Sequence, residues 1–466
     1  MNTVDILIAN GIIITLDSKR RIIDGGTIAI KGDRIIDIGA SGELEGKYGA
    51  ERVIDATKMV VLPGMINCHT HAGWPIARGV LGDIDLIEAH NKVYFPIEFN
   101  PVLPPEDAYI GTLLGCLEYI RTGTTCIVDQ FVRPEAVAEA VKIAGIRGTL
   151  SGFMFDTWHG SERVSFTEDR KKILDDAVKF IEDWNGQADG RIQAWFAPIH
   201  EMGASRELFT EVIALADEYK VGITTHLAES YAMVQAIKRL YNKRPIEYAY
   251  ELGLLRPGTI AGHCCWLSEH EITLLAESGA AVAHTARGEM KIADGVTPVP
   301  RLLEAGANVV LASDSCLEAG DSDLFREMST AGRLHKVNYP LDPEVMPAEV
   351  LLEMVTVNAS KAMMFDKEIG SLEKGKKADI ILVDFNKPHL TPILRKPKFN
   401  VVSLLADSAV GNDVDTMIVN GNIIMLHRKI LTLDETQIME DAQVAAEKVM
   451  ERTGVAKERF PWRWSI

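Results

Sequence analysis

Two histidines flanking one threonine, His69-Thr70-His71, are the residues of this chain best placed to do chemistry. Side chains on an extended strand alternate faces, so imidazoles two positions apart project to one side and can share a metal ion. Three more metal-competent groups each follow an apolar, β-rich run. Residues 221–225 lead into His226, with Glu229 three positions beyond; 259–262 lead into His263; 308–313 deliver Asp314. A single histidine at a strand end is more often a hydrogen-bonded structural residue, and Asp314 between Ser313 and Ser315 has the look of a helix cap. The same arrangement at four strand ends argues instead for a ring of ligands around one cation.

Such a ring needs strands whose ends meet. The run 59–62 reads as a strand buried on both faces that empties toward His69, and 123–129 and 191–197 read as further strands. Helical patterns at 105–121, 134–144, 168–184, 205–219, 230–240, 268–278 and 347–364 alternate with them. This alternation predicts an α/β fold, a parallel barrel whose carboxyl-terminal strand ends gather the functional groups. A barrel takes roughly 250 residues, so much of a 466-residue chain is left over. Short β-rich runs at 6–14, 27–30 and 34–38 carry the hairpin signal Asn10-Gly11, and similar runs at 380–384, 417–419 and 422–425 carry Asn420-Gly421. Neither end has strands enough to stand alone, so both are expected to build one small β-sandwich. The expected division is 1–60 and 370–433 for the two parts of the sandwich and 61–369 for the barrel. An amphipathic helix at 434–453 stopped by Gly454 and the aromatic tail Phe460-Pro461-Trp462-Arg463-Trp464 fill 434–466, and such a tail suits burial in a homo-oligomer interface.

A net charge of −17 with no offsetting basic cluster argues against nucleic acid or an anionic membrane as partner. No run reaches the roughly 18 apolar residues of a membrane span, and the first residues lack a basic-then-apolar leader, so the expected compartment is the cytoplasm. The six cysteines form no disulfide or zinc spacing. Cys68 and Cys264, next to the candidate ligands, should face away from the metal as small apolar groups.

The chain resembles the amidohydrolase superfamily, in the branch that holds S-adenosylhomocysteine and methylthioadenosine deaminases, guanine and cytosine deaminases, and triazine hydrolases. The matching residues are Pro63-Gly64-Met65-Ile66-Asn67-Cys68-His69-Thr70-His71, His226-Leu227-Ala228-Glu229, Gly262-His263-Cys264 and Ser313-Asp314, followed by Thr356-Val357-Asn358-Ala359-Ser360 and the stretch from Gly370 to Asp379. They cover nearly the whole length. The resemblance implies a (β/α)8 TIM-like barrel with a small β-sandwich domain formed from both chain ends, and one divalent ion, Zn²⁺ or Fe²⁺, since imidazole and carboxylate serve both. No strand ends in the lysine that bridges two metals in binuclear relatives, so one ion is expected. His69, His71, His226 and Asp314 match the ligands; His263 falls beside the water or substrate. Three imidazoles and a carboxylate leave a position for water, whose pKa zinc lowers to about 7, giving a hydroxide suited to an electron-poor ring carbon. Glu229 is the expected proton shuttle, with His263 and Asp314 as the other catalytic groups.

The implied activity is hydrolytic deamination of an amino-substituted N-heterocycle of purine, pterin or triazine type, with water as co-substrate. The same site would also serve a dechlorinating or dealkylating triazine hydrolase or a cyclic amide hydrolase; a metal-binding scaffold without turnover is the remote reading. Two departures bear on substrate. Many deaminases of this branch carry His-Asn-Pro-x-Ser-Asn where this chain has His284-Thr285-Ala286-Arg287-Gly288-Glu289, and adenosine-type enzymes place a histidine directly after Ala-Pro, one residue before His200. These weaken an adenosine or S-adenosylhomocysteine assignment in favour of a modified specificity. Trp74, His200, Arg287 and Glu289 are the candidate substrate contacts.

Overall fold

The computed structural model describes residues 2–44, 46–98, 103–160 and 169–455. The first 63 residues supply five strands, β1 (Asn2–Ile14), β2 (Ile22–Lys31), β3 (Arg34–Ala40), β4 (Tyr48–Asp55) and β5 (Met59–Pro63). A second group runs through β6 (Met65–Thr70), β7 (Thr124–Phe131), β8 (Arg147–Met154), β9 (Ile192–Ala194), β10 (Ala197–Pro198), β11 (Ile223–Leu227), β12 (Thr259–His263), β13 (Ala281–His284) and β14 (Asn308–Leu311). The chain then returns to β15 (Ile380–Asp384), β16 (Val414–Val419), β17 (Asn422–Leu426) and β18 (Lys429–Ile430).

Both chain ends meet in one nine-stranded sheet ordered β18-β17-β16-β15-β5-β1-β2-β3, with β4 added to β1. Its alternating isoleucines bury one face around Ile8, Ile28, Ile30, Ile54 and Ile380. The middle group forms two parallel sheets, β10-β8-β7-β6 with β9 on β8, and β11-β12-β13-β14. Single parallel bridges join their free edges: Phe196 to Ile223 and His200 to His226 on one side, Thr70 to Asp314 on the other. The mixed α/β architecture follows the expectation, with helices filling the crossovers.

The run 59–62 is a correction. It is β5, paired with β1 and β15 in the sheet of the chain ends, and the histidines belong to the next strand, β6. The break is at Gly64, where any side chain would collide with Thr125. Strand β8 has no counterpart among the expected ones because Arg147, Thr149 and Ser151 interrupt its apolar pattern. Arg147 is nevertheless buried; its guanidinium grips Asp379 (2.5 and 2.9 Å) and Asn420 (2.8 Å), tying the inner strands to the outer sheet. The helical run 347–364 is two helices, Ala348–Met354 and Val357–Ala362, broken at Thr356. The expected C-terminal helix is present as Glu435–Thr453, capped by Asp434 and by Gly454 in the left-handed region. The aromatic tail 460–464 lies outside the described residues. No helix among those described is long and apolar enough to cross a membrane. All six cysteines are free and buried.

Candidate metal centre and its cavity

His69 is carried by β6, with His71 just past its end, and the neighbouring strand β7 sets their spacing. Asp129 accepts from the Thr70 hydroxyl (2.9 Å) and the Ala72 amide (2.6 Å), while Gln130 offers its carbonyl to His71 Nδ1 (2.9 Å). His226 ends up opposite by the same device, its Nδ1 2.6 Å from the Ile199 carbonyl. In both rings the backbone carbonyl takes the Nδ1 proton, so Nε2 keeps its lone pair. His71 Nε2 lies 3.4 Å from His226 Nε2 and 3.3 Å from Asp314 Oδ1.

Asp314 sits three residues beyond β14 with φ at 64°, in the left-handed region that a non-glycine residue enters at a cost of order 1–3 kcal/mol. Its amide donates to the His69 carbonyl (3.0 Å), and Asn67 and Ser313 exchange two hydrogen bonds beside it (2.7 and 2.9 Å). Those contacts hold the strained carboxylate against β6. His263, also left-handed, takes a bond between its Nδ1 and the Thr285 hydroxyl (3.0 Å) and turns Nε2 to within 3.5 Å of Glu229 and 4.0 Å of Asp314.

Ligand atoms of His69, His226 and His263, and of His69, His71 and Asp314, lie within 4.8 Å of one another. His69 is fully buried and neither of its ring nitrogens has a partner among the described residues; His263 Nε2 also lacks one there. Sealing a polar ring away from water without a partner is costly, and a shared cation relieves that cost at several of these atoms at once. The glycine at 262 makes room, since a Cβ there would stand 3.0 Å from the His69 ring. The donor set therefore fits a divalent ion.

The charges divide the rings. Burial favours the neutral form of His71, but the Asp314 carboxylate outweighs it and lifts the imidazole to about 9, so a cation bound there would displace the Nε2 proton that Asp314 holds. Burial works against ionised Asp314 as well, yet the bond to His71 and the other imidazoles hold it well below the carboxylate range. Burial drives His69, His226 and His263 down, leaving neutral rings suited to a metal. Glu229 is raised well above its ordinary value, first by burial and then by Asp294, Asp314, Glu201 and Glu318.

These groups open on one cavity. Of the four substrate-contact candidates, Trp74 and His200 line it, and Arg287 and Glu289 do not. The one-residue shift of His200 is absorbed because β10 stops at Pro198 and His200 then bridges to the backbone of His226. Arg287 turns outward to Asp321 (2.6 Å) and to the Ala319 carbonyl. Glu289 is buried behind the wall, where it accepts from Thr285 N (3.1 Å), Thr297 N (3.1 Å), the Thr297 hydroxyl (2.8 Å) and His284 (3.0 Å). Residues at the start of a helix point back along it, so this segment braces His263 through Thr285 and faces away from the cavity. Sequence reasoning missed His90, Tyr94, Glu98 and Glu318, which also line the cavity. The first three lie after β6 on short helical turns with no strand end to announce them; their only signal was titratable residues within an apolar stretch.

Comparison with known proteins points the same way. The amidohydrolase family model matches residues 60–424. The 5'-deoxyadenosine deaminase of Methanosarcina barkeri is 39% identical over 448 residues, 96% of this chain and 99% of that protein. A 5-methylthioadenosine/S-adenosylhomocysteine deaminase of Pelotomaculum thermopropionicum is 36% identical with the same coverage. Among solved structures, an adenosine deaminase from Xanthomonas campestris with bound zinc superposes with a TM-score of 0.90 over 97% of this chain and 99% of that one, at 25% identity.

Proposed function

Because the chain belongs to the amidohydrolase family, we propose that it is a metal-dependent deaminase of an adenosine-type nucleoside, in which His69, His71, His226 and Asp314 hold one divalent ion, zinc by preference. The observation that carries this reading is the convergence of buried imidazoles with unpartnered nitrogens beside a protonated-range carboxyl, Glu229, in one cavity. The full-length relatives that act on 5'-deoxyadenosine and methylthioadenosine move the substrate toward adenosines and away from the modified specificity that the His284–Glu289 segment suggests. That segment stands outside the cavity, so its departure from the usual pattern leaves the ring site intact. In this reading the two parallel sheets, bridged along both seams, are one (β/α)8 barrel over 61–369, and the sheet of the chain ends is the β-sandwich of 1–60 and 370–433.

A bound ion would lower the pKa of a water to about 7 and so supply a nucleophile at neutral pH. Glu229, kept protonated by burial and its acidic neighbours, donates its proton to a ring nitrogen; the carboxylate so formed takes the proton of the hydroxyl added to the ring carbon and passes it to the departing amine, which leaves as ammonia. His263 Nε2, 3.5 Å from Glu229, orients that carboxyl and takes part in the transfer. His200 accepts the Met202 amide on Nδ1 (3.2 Å), which assigns its proton to Nε2, a donor on the cavity wall without a partner among the described residues. Such a donor matches a ring nitrogen of a purine. Zinc-reconstituted protein should release ammonia from 5'-deoxyadenosine, and Glu229→Gln should lower kcat by about 10²–10⁴-fold at unchanged zinc content. Unaltered turnover in that variant, or release of no ammonia by the parent protein, overturns the reading.

A further inference from the structure

Glu229 is the group that the proposed chemistry asks to give up a proton, and the carboxyl of Asp294 stands against it. Asp294 is not among the residues that line the cavity. It lies in the turn after the helix Ala286–Lys291 and is 4% exposed. That turn is fastened on both sides. The Asp294 amide donates to the Glu289 carbonyl (3.1 Å), the Trp266 indole donates to the Asp294 carbonyl, and Ala293 is held left-handed at φ 57°. The Asp294 carboxyl takes no hydrogen bond from any amide, hydroxyl or cationic group of the described residues. Its Oδ2 is buried without a partner, and the side-chain hydrogen bond that Asp294 does make is with Glu229. Across the pair, Glu201 accepts the Ala228 amide (3.0 Å) and so pins the turn that carries Glu229. Two fixed segments thus press one buried carboxyl against another, an arrangement that costs stability and that packing alone does not call for.

We infer that Asp294 is a positioning residue for the proton transfer: as a neutral acid it donates a hydrogen bond to Glu229, which leaves the Glu229 proton directed at the substrate and steadies the carboxylate formed when that proton is given up. The inference rests on the deaminase reading above and deepens it at this one step. A protonated carboxyl has one O–H to donate and keeps an oxygen that accepts. When Glu229 turns its O–H to a ring nitrogen, only an acceptor is left for Asp294, so the bond between them persists only if Asp294 supplies the hydrogen. Once Glu229 is ionised, the same bond runs from a neutral donor to an anion and is roughly twice as strong, which favours the state after transfer over the state before it. Asp294 keeps its own proton throughout, so no bond is made or broken at it. Burial lifts Asp294 to about 8, against the bond to Glu229, which favours its ionised form; burial and then the charge of Asp294 raise Glu229 well above its ordinary value. Both carboxyls therefore carry their protons at neutral pH.

The test compares Asp294→Ala, which removes the donor, with Asp294→Asn, whose amide N–H replaces it, in the zinc-loaded full chain. With 5'-deoxyadenosine the alanine variant should lose about tenfold or more in kcat, the scale of a hydrogen bond to a charged group, with KM and zinc content within about twofold of the parent. The asparagine variant should keep kcat within about threefold, because its donor is retained. A merely structural part for Asp294 would move KM or zinc content along with kcat. Infrared difference spectra at neutral pH give a readout without turnover: the parent should show a protonated-carboxyl C=O band that is missing from Asp294→Asn and displaced in Glu229→Gln. Should the alanine variant not fold, Asp294→Asn and these bands decide alone. If the parent releases no ammonia but the band behaves as stated, the deaminase reading fails and the inferred bond stands. Unchanged kcat in Asp294→Ala, a loss in Asp294→Asn as large as in Asp294→Ala, or spectra with no band lost in Asp294→Asn overturns the inference.

Discussion

The interior holds two clusters built from the same residue types, and only one of them is fit to bind anything. His69, His71, His226, His263 and Asp314 converge, with both nitrogens of His69 and Nε2 of His263 unpartnered among the described residues. Behind them His284, His335, Glu289 and Glu327 are equally buried, yet His284 bonds Glu289 at 3.0 Å and His335 at 3.2 Å, while Glu289 takes three further hydrogen bonds from Thr285 and Thr297. In the second cluster the protein answers its own polar atoms but for Glu327 Oε2, since the other oxygen of that carboxyl takes the Arg287 amide (3.1 Å). Histidine and carboxylate mark a site only where their lone pairs converge and remain unanswered, and that property is not a property of residue type.

Three substitutions bear on this contrast. The largest effect is expected from His226→Ala, which removes a ligand from the first cluster. Zinc measured by elemental analysis should be lost and turnover should drop by about 10³-fold, the scale of forfeiting a Lewis acid worth several kcal/mol; retention of both would break the contrast. Next is Glu289→Gln in the second cluster, whose cost should appear as stability while zinc is retained. Burial alone would raise Glu289, but His284, then His263 and the Thr297 amide, bring it down to about 2 from 4.5. A carboxyl lowered in the folded state stabilises it above the unfolded pKa and loses that contribution as pH falls toward the folded value. Urea midpoints of metal-depleted protein should therefore show the parent losing about 3 kcal/mol between pH 5 and 2 through this group, at 1.36 kcal/mol per unit, and the variant losing less. Identical acid limbs for the two proteins would remove Glu289 from the role of a paired anion. The smallest effect belongs to Arg287→Ala. Arg287 and its partner Asp321 are only 17% and 20% exposed, so a stability change of about 1–2 kcal/mol, the scale of a charged hydrogen bond, and a KM within about threefold of the parent are expected. A tenfold rise in KM would place that side chain at the substrate after all.

The pair of histidines two apart and the strand ends at His226, His263 and Asp314 were legible because β-strands alternate with period two and parallel strands deliver their last residues to one side. His200 was only half legible. Its place along the chain departs from the common pattern by one residue, and the early end of β10 restores it to the cavity. Arg287 and Glu289 were misplaced because they begin a helix, and a helical side chain's direction depends on what packs beneath it. Glu98 and Glu318 were invisible because neither follows a strand.

The order of chemically able residues along the chain, and the periodicities that seat them on strands, were set by the sequence alone, since both depend on nearest neighbours. Tertiary structure decided which lone pairs stay unanswered, whether residues 59–62 serve the site or the outer sheet, and which carboxyls face the cavity. Those outcomes depend on distant partners, 246 residues apart for Asn67 and Ser313 and farther still for β5 and β15, and a local pattern holds no information about a distant partner's orientation.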